Sequence, residues 1–162
     1  MTRVIPFILY LILIAFHEVI TREATLIVTA GINLSALLVL VVALYKAELT
    51  ATWFGFFAGL VFMASSPAHL GWHALALAAL GLMAYHVREK LNLDSLYAKI
   101  LLVFGGVLVH NLMVLVLEGP TDFLFRLVTV VLAGAVYTTA IAWVFFLFKE
   151  GYITWARVKS LF

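Results

Sequence analysis

The sequence contains six long apolar runs that are separated only by short charged or turn-forming segments. This pattern is compatible with few folds. A helix that crosses a bilayer needs about 20 mostly apolar residues, and each run comes close to that length. Charged residues, glycine and proline interrupt the runs and place the predicted helices at residues 4–20, 25–45, 49–66, 70–87, 96–117 and 123–148. Because the connectors are short, consecutive helices are expected to be antiparallel neighbours.

The composition agrees with a membrane protein. Of the 162 residues, 66% are hydrophobic and only 11% are charged, whereas soluble domains are roughly half apolar. We therefore expect an all-α integral membrane protein, with one transmembrane domain over residues 1–162. The net charge of +2 is too small and too scattered to indicate nucleic-acid binding. The first run ends in His17 and Glu18 and not in a small-residue cleavage site, so a retained helix is expected instead of a secretory signal.

Lys and Arg residues divide unevenly between alternate connectors, which predicts the orientation. Positive residues accumulate on the cytoplasmic side of a membrane protein. Only Arg22 and Arg126 fall on one side of the predicted bundle. We therefore expect both termini in the cytoplasm, with residues 149–162 as an interfacial tail. The basic residues of the predicted cytoplasmic side are Arg3, Lys46, Arg88, Lys90, Lys99, Lys149, Arg157 and Lys159.

Small residues recur at helical spacing. Gly55 and Gly59 form a GxxxG pattern on the third predicted helix, and Gly31 with Ser35 forms a similar pair on the second. In lipid, helices associate through close approach of such residues and through buried polar groups. The pattern favours packing within the chain, and a homo-oligomer through the same faces is the alternative.

Polar residues inside or at the end of apolar helices predict a cavity. Ionisable groups in a membrane are costly, so they face the bundle interior or a water-filled space. The predicted topology places five such residues in the outer leaflet, on helices one, four and five. We expect them to line a polar concavity that opens outward, and they are His17, Glu18, His73, His110 and Asn111.

Chemical roles for these residues compete with structural ones. His69 and His73 are spaced as metal ligands on one helix face, but interfacial histidines bonded to backbone or water are the favoured alternative. His110 and Asn111 fit either hydrogen bonds between helices or a ligand contact. Glu18 with His110 is the only acid/base pair to consider, and no strained serine nucleophile is recognisable. We expect no catalytic residues, no metal and no cofactor.

An ordered succession of short motifs runs through the central part of the chain, over residues 55–117. The motifs are Gly55-Phe56, Gly59-Leu60, Ser66-Pro67, Leu70-Gly71, Ala74-Leu75, Tyr85, Arg88-Glu89-Lys90, NLDSL at residues 92–96 and LLVFGGVLVHNLMVLVL at residues 101–117. This succession resembles the MreD family, the small membrane subunit of the bacterial rod-shape machinery. The family often has an aspartate shortly before the Ser-Pro turn, where this chain has Met63, so no role for that carboxylate carries over.

The resemblance implies a non-enzymatic scaffold, a multi-pass protein of the bacterial inner membrane. Such a scaffold binds MreC directly and joins RodA, its penicillin-binding transpeptidase and MreB in one complex. The family is similar in fold to the substrate-binding S components of energy-coupling-factor vitamin transporters, and that function is the alternative. A partner's single membrane helix is expected to dock along the third and fourth helices, on a surface formed by Gly55, Phe56, Gly59, Ser66, Pro67 and Gly71.

Overall fold

A computed structural model describes residues 4–21, 31–64, 67–91 and 95–152. This part of the chain is helical, with turns between the helices and no strand. A π-helical turn extends α1 over His17–Thr21, a 3-10 turn at Pro67–His69 precedes α4, and α6 contains a π-helical segment at Leu127–Leu132. The predicted tail lies outside the described residues from residue 153 onward. The helices are α1 (Ile5–Phe16), α2 (Leu34–Tyr45), α3 (Glu48–Phe62), α4 (Leu70–Lys90), α5 (Leu96–Glu118) and α6 (Phe123–Lys149).

Three of these helices, α4, α5 and α6, are long and apolar enough to cross a membrane. The other three are apolar but shorter. At about 1.5 Å per residue, α2 extends over roughly 18 Å, against a hydrocarbon thickness of about 30 Å. The all-helical prediction is confirmed for the described residues, while the count of six crossings stays a prediction.

The second predicted helix is wrong at residues 31–33. Residues 25–30 lie outside the described residues, and residues 31–33 are not helical. The side chain of Asn33 accepts a hydrogen bond from the backbone N–H of Ala36 at 3.0 Å and so caps α2. An asparagine at this position favours the start of a helix over its continuation. Gly31 therefore precedes the helix and forms no helical pair with Ser35.

Helix α2 is the centre of the bundle, since every residue from 35 to 44 is buried. On one side of it, α3 and α4 pack closely as a hairpin. A Cβ atom at Gly55 would meet the backbone of Leu77, and one at Gly59 would meet the backbone of Ala74. The two helices approach this closely because neither glycine has a side chain.

This packing corrects the expected partner interface. Gly55 and Gly59 are buried against α4 of the same chain, so the expectation that they face a partner helix is wrong. Phe56 is partly buried, and Ser66 lies outside the described residues. Of the predicted surface, Pro67 and Gly71 are exposed, and a Cβ atom at Gly71 would meet nothing within 4 Å.

Basic residues gather at one end of the bundle. Arg88 Nη1 donates to the carbonyl oxygens of Ala43 and Lys46, each at 2.9 Å, and so caps the C-terminus of α2. Lys99, at the start of α5, lies 2.6 Å from Glu150, just after α6. Its hydrogen bond holds the pKa of Glu150 below the ordinary value. The side of the membrane that this basic end faces stays a prediction.

Candidate functional site

A cavity of about 420 Å³ lies at the end of the bundle opposite the basic residues. It is formed where the C-terminal ends of α1, α3 and α5 meet the N-terminal ends of α2, α4 and α6. The structure brings all the residues predicted for a polar concavity to its wall. They are His17, Glu18, His73, His110 and Asn111.

The cavity wall draws on more helices than the three expected. Asn33 enters from the start of α2, and Glu118 and Arg126 come from the ends of α5 and α6 that meet there. Met63, where the resemblance places an aspartate, also lies in the wall, so no carboxylate enters the cavity at that position. The apolar lining residues are Ile32, Phe62, Met63, Val114, Leu115, Val130 and Val131.

Asn33 joins three helices at the inner wall of the cavity. Its side-chain Nδ2 donates to Asn111 Oδ1 at 2.6 Å and lies 3.0 Å from His110 Nδ1, both on α5. Its backbone N–H donates to the Thr138 hydroxyl on α6 at 3.0 Å, and Thr138 is fully buried. One non-helical residue at the start of α2 therefore fixes α2, α5 and α6 relative to one another.

Two neighbouring histidines in the wall are almost completely buried, as is His17 at the end of the first helix. His73 is 7% exposed and His110 is 3% exposed. Within the described part of the chain, His73 Nδ1 and His110 Nε2 have no hydrogen-bond partner. The two ring centroids are 6.4 Å apart, and the ring of Phe62 is 5.5 Å from that of His73. Buried polar atoms are nearly always paired, so these two nitrogens mark a place where a bound molecule can supply a partner.

The charged groups of the cavity belong to the helix ends that surround this pair of histidines. Arg126 is exposed and its Nε lies 2.8 Å from Asp122 Oδ1, and Glu118 is exposed as well. His17 Nδ1 lies 3.3 Å from Glu18 Oε1, at the end of the first helix. The inner wall formed by amides and imidazoles is thus distinct from a charged opening.

The metal-ligand spacing of His69 and His73 does not produce a pair of ligands. His69 lies exposed at the cap of α4, whereas His73 is buried in the cavity wall. Among the residues that the structure describes, no three His, Asp or Glu side chains are grouped to hold a metal ion. His86 lies at the basic end of the bundle, 3.8 Å from Glu48, and does not belong to the cavity wall.

Sequence reasoning missed Asn33 and Thr138, although both hold the cavity wall together. The signal for Asn33 was present, because asparagine followed by Ser35 two residues later is typical of a helix start. Ser35 Oγ indeed donates to Asn33 Oδ1 at 3.0 Å. Thr138 had no such signal, since a threonine within an apolar helix commonly bonds to its own backbone.

The described part of the chain is thus an all-helical bundle with helices able to cross a membrane and a polar cavity at one end. No protein-family model, characterised protein or solved structure matches the chain. The resemblance to MreD therefore rests on the residues of the sequence alone.

Proposed function

We propose that this chain is a non-enzymatic membrane scaffold of the MreD type. In this role it binds MreC in the bacterial inner membrane and supports peptidoglycan synthesis and cell shape, in a complex with RodA, its penicillin-binding transpeptidase and MreB. The observation that carries the proposal is the ordered succession of family features over residues 55–117. Most of these features lie on the α3–α4 hairpin and on α5. They therefore belong to helices that pack against one another.

The surface available to a partner helix is smaller than the one predicted from the sequence. Since α4 covers Gly55 and Gly59, a partner helix is left with the exposed end of the hairpin at Pro67 and Gly71. Gly71 lies in open space, so a partner backbone can come close to it. Gly105 on α5 is equally open but belongs to another helix, which makes it a matched control position.

The test is purification of the tagged chain from its native membrane, with identification of the proteins that remain bound. A one-span coiled-coil protein of the MreC type is the expected partner. The Gly71→Trp variant should lose most of that partner, and the Gly105→Trp variant should retain it. If the wild-type chain retains no such protein, the scaffold function is wrong. If Gly71→Trp retains it fully in a protein that inserts normally, only the contact is wrong.

A second function, the substrate-binding S component of an energy-coupling-factor transporter, is favoured by the cavity. Four side chains with hydrogen-bonding groups, those of Asn33, Asn111, His73 and His110, converge on one wall. Convergent polar groups in an apolar pocket are typical of small-molecule sites. In the same purification, bound ATPase subunits in place of MreC would favour this function.

A further inference from the structure

The hydrogen bonds of Asn33 determine which atom of its amide is which. Its Oδ1 accepts from the backbone N–H of Ala36 and from the hydroxyl of Ser35, each at 3.0 Å. A backbone N–H can only donate, so the atom facing it must be the oxygen. The amide nitrogen, Nδ2, therefore points the other way. Its two hydrogens are directed at Asn111 Oδ1 and His110 Nδ1.

This orientation in turn fixes the proton of His110. An imidazole nitrogen that receives a hydrogen bond cannot carry a proton, so Nδ1 is the acceptor. No carboxylate in the described part of the chain is bonded to the ring, and an unpaired charge at such a buried position is very costly. The imidazole is therefore neutral, and its proton is on Nε2. That Nε2–H is the buried donor without a partner in the described part of the chain.

The groups around this donor form a recognition surface. Asn111 uses its Oδ1 to accept from Asn33, and its Nδ2 lies on the side of Gly134 in α6, where a Cβ atom would meet it at 3.3 Å. His73 Nδ1, also buried and unpaired among the described residues, can take either role because nothing fixes its tautomer. Phe62 lies against the His73 ring, and Leu115 lines the wall beside them. The Nε2–H donor of His110 thus lies next to an apolar surface suited to a flat group.

We propose that the cavity binds a small uncharged molecule with a carbonyl-type acceptor on a flat apolar body, such as a carboxamide or lactam ring. The acceptor pairs with His110 Nε2–H and the flat body lies between Phe62 and Leu115. An ammonium group has no lone pair to offer this donor. An anion paired with His110 would lie buried, while Arg126, a cation that lines the same cavity, is exposed and bonded to Asp122. The volume of about 420 Å³ suits a molecule of this size.

This inference holds under either function above, and its test is independent of any partner protein. The chain, labelled with ¹⁵N-histidine in lipid nanodiscs, reports the tautomer of each histidine by NMR. His110 is expected as the neutral Nε2–H form. Benzamide is the probe, compared with toluene, benzoate and benzylamine, which have similar size but lack the acceptor or carry a charge. Benzamide should shift the His110 and His73 signals and bind at least about tenfold more tightly than the other three, which corresponds to one good hydrogen bond.

A pair of histidine variants locates the binding. His110→Phe should lower the benzamide affinity about tenfold or more. His86→Phe, at the opposite end of the bundle, should leave it unchanged. The tautomer and the benzamide-induced shifts are both measured on the unmodified chain, so they test the proposal even if His110→Phe fails to fold. An Nδ1–H or doubly protonated His110 overturns the proposal, as does benzoate or benzylamine binding as tightly as benzamide. A cavity that holds only water, with no shift at tens of millimolar benzamide, overturns it too.

Discussion

At the residue scale, Thr138 offers the sharpest test of the polar contacts that hold the bundle. Its hydroxyl accepts the backbone N–H of Asn33 at 3.0 Å in a fully buried position. Thr138→Val keeps the shape but leaves that N–H unpaired. We expect a loss of about 1–3 kcal/mol in the free energy of unfolding, because an unsatisfied buried donor costs that much. Unfolding in mixed detergent micelles measures it.

The neighbouring threonine is the matched control. Thr139 Oγ1 donates to the carbonyl of Ala135 in its own helix at 2.7 Å and joins no second helix. Thr139→Val should therefore change the free energy of unfolding by less than about 0.5 kcal/mol. Equal losses in the two variants would show that the contact between α2 and α6 contributes nothing specific.

Single polar residues in apolar segments were the part of the site that the sequence could predict. His110 and Asn111 stand out because burying them in lipid is costly, and both line the cavity. Their hydrogen-bond partners could not be predicted in the same way. Asn33 is 77 residues from His110 in the chain, and only the packing of α2 against α5 brings the two together.

At the scale of helices, the α3–α4 hairpin depends on Gly59. Alanine is the better helix former by about 1 kcal/mol, but a Cβ atom here would collide with the backbone of Ala74. Backbone cannot give way as a flexible side chain can, so the collision outweighs the gain in propensity. We expect Gly59→Ala to lose about 1–3 kcal/mol, as overpacked positions do. Thermal unfolding in detergent measures the change.

Gly71, in the first turn of α4, is the control for the same hairpin. A Cβ atom there meets nothing within 4 Å, so Gly71→Ala should be as stable as the wild type or slightly more so. A Gly59→Ala protein that unfolds at the wild-type temperature would mean that α3 and α4 do not pack backbone to backbone at this point.

The helix bounds show where sequence reasoning succeeds and where it fails. Helices α4 to α6 begin and end close to the predicted positions, because charged residues there interrupt long apolar runs. The start of α2 was missed because hydropathy continues through Asn33 while the backbone does not. The expected packing within the chain at Gly55 and Gly59 agrees with the structure, since α4 covers both, but a GxxxG pattern does not identify the helix that packs against it.

At the scale of the whole molecule, the two ends of the bundle differ in chemistry. Arg88 and Lys99 form hydrogen bonds at one end, whereas the polar cavity occupies the other. Positive residues accumulate on the cytoplasmic side of membrane proteins. The cavity is therefore predicted to open on the outer side, where a ligand or the extracellular part of a partner has access to it.

Cysteine labelling measures this orientation directly, because the chain contains no cysteine of its own. Glu118 is exposed beside the cavity, and Ala47 is exposed in the connector at the basic end. In spheroplasts, a membrane-impermeant maleimide should label Glu118→Cys at once and Ala47→Cys only after permeabilisation. The reverse pattern, or labelling of both positions from the same side, would contradict a membrane-spanning bundle with an outward-facing cavity.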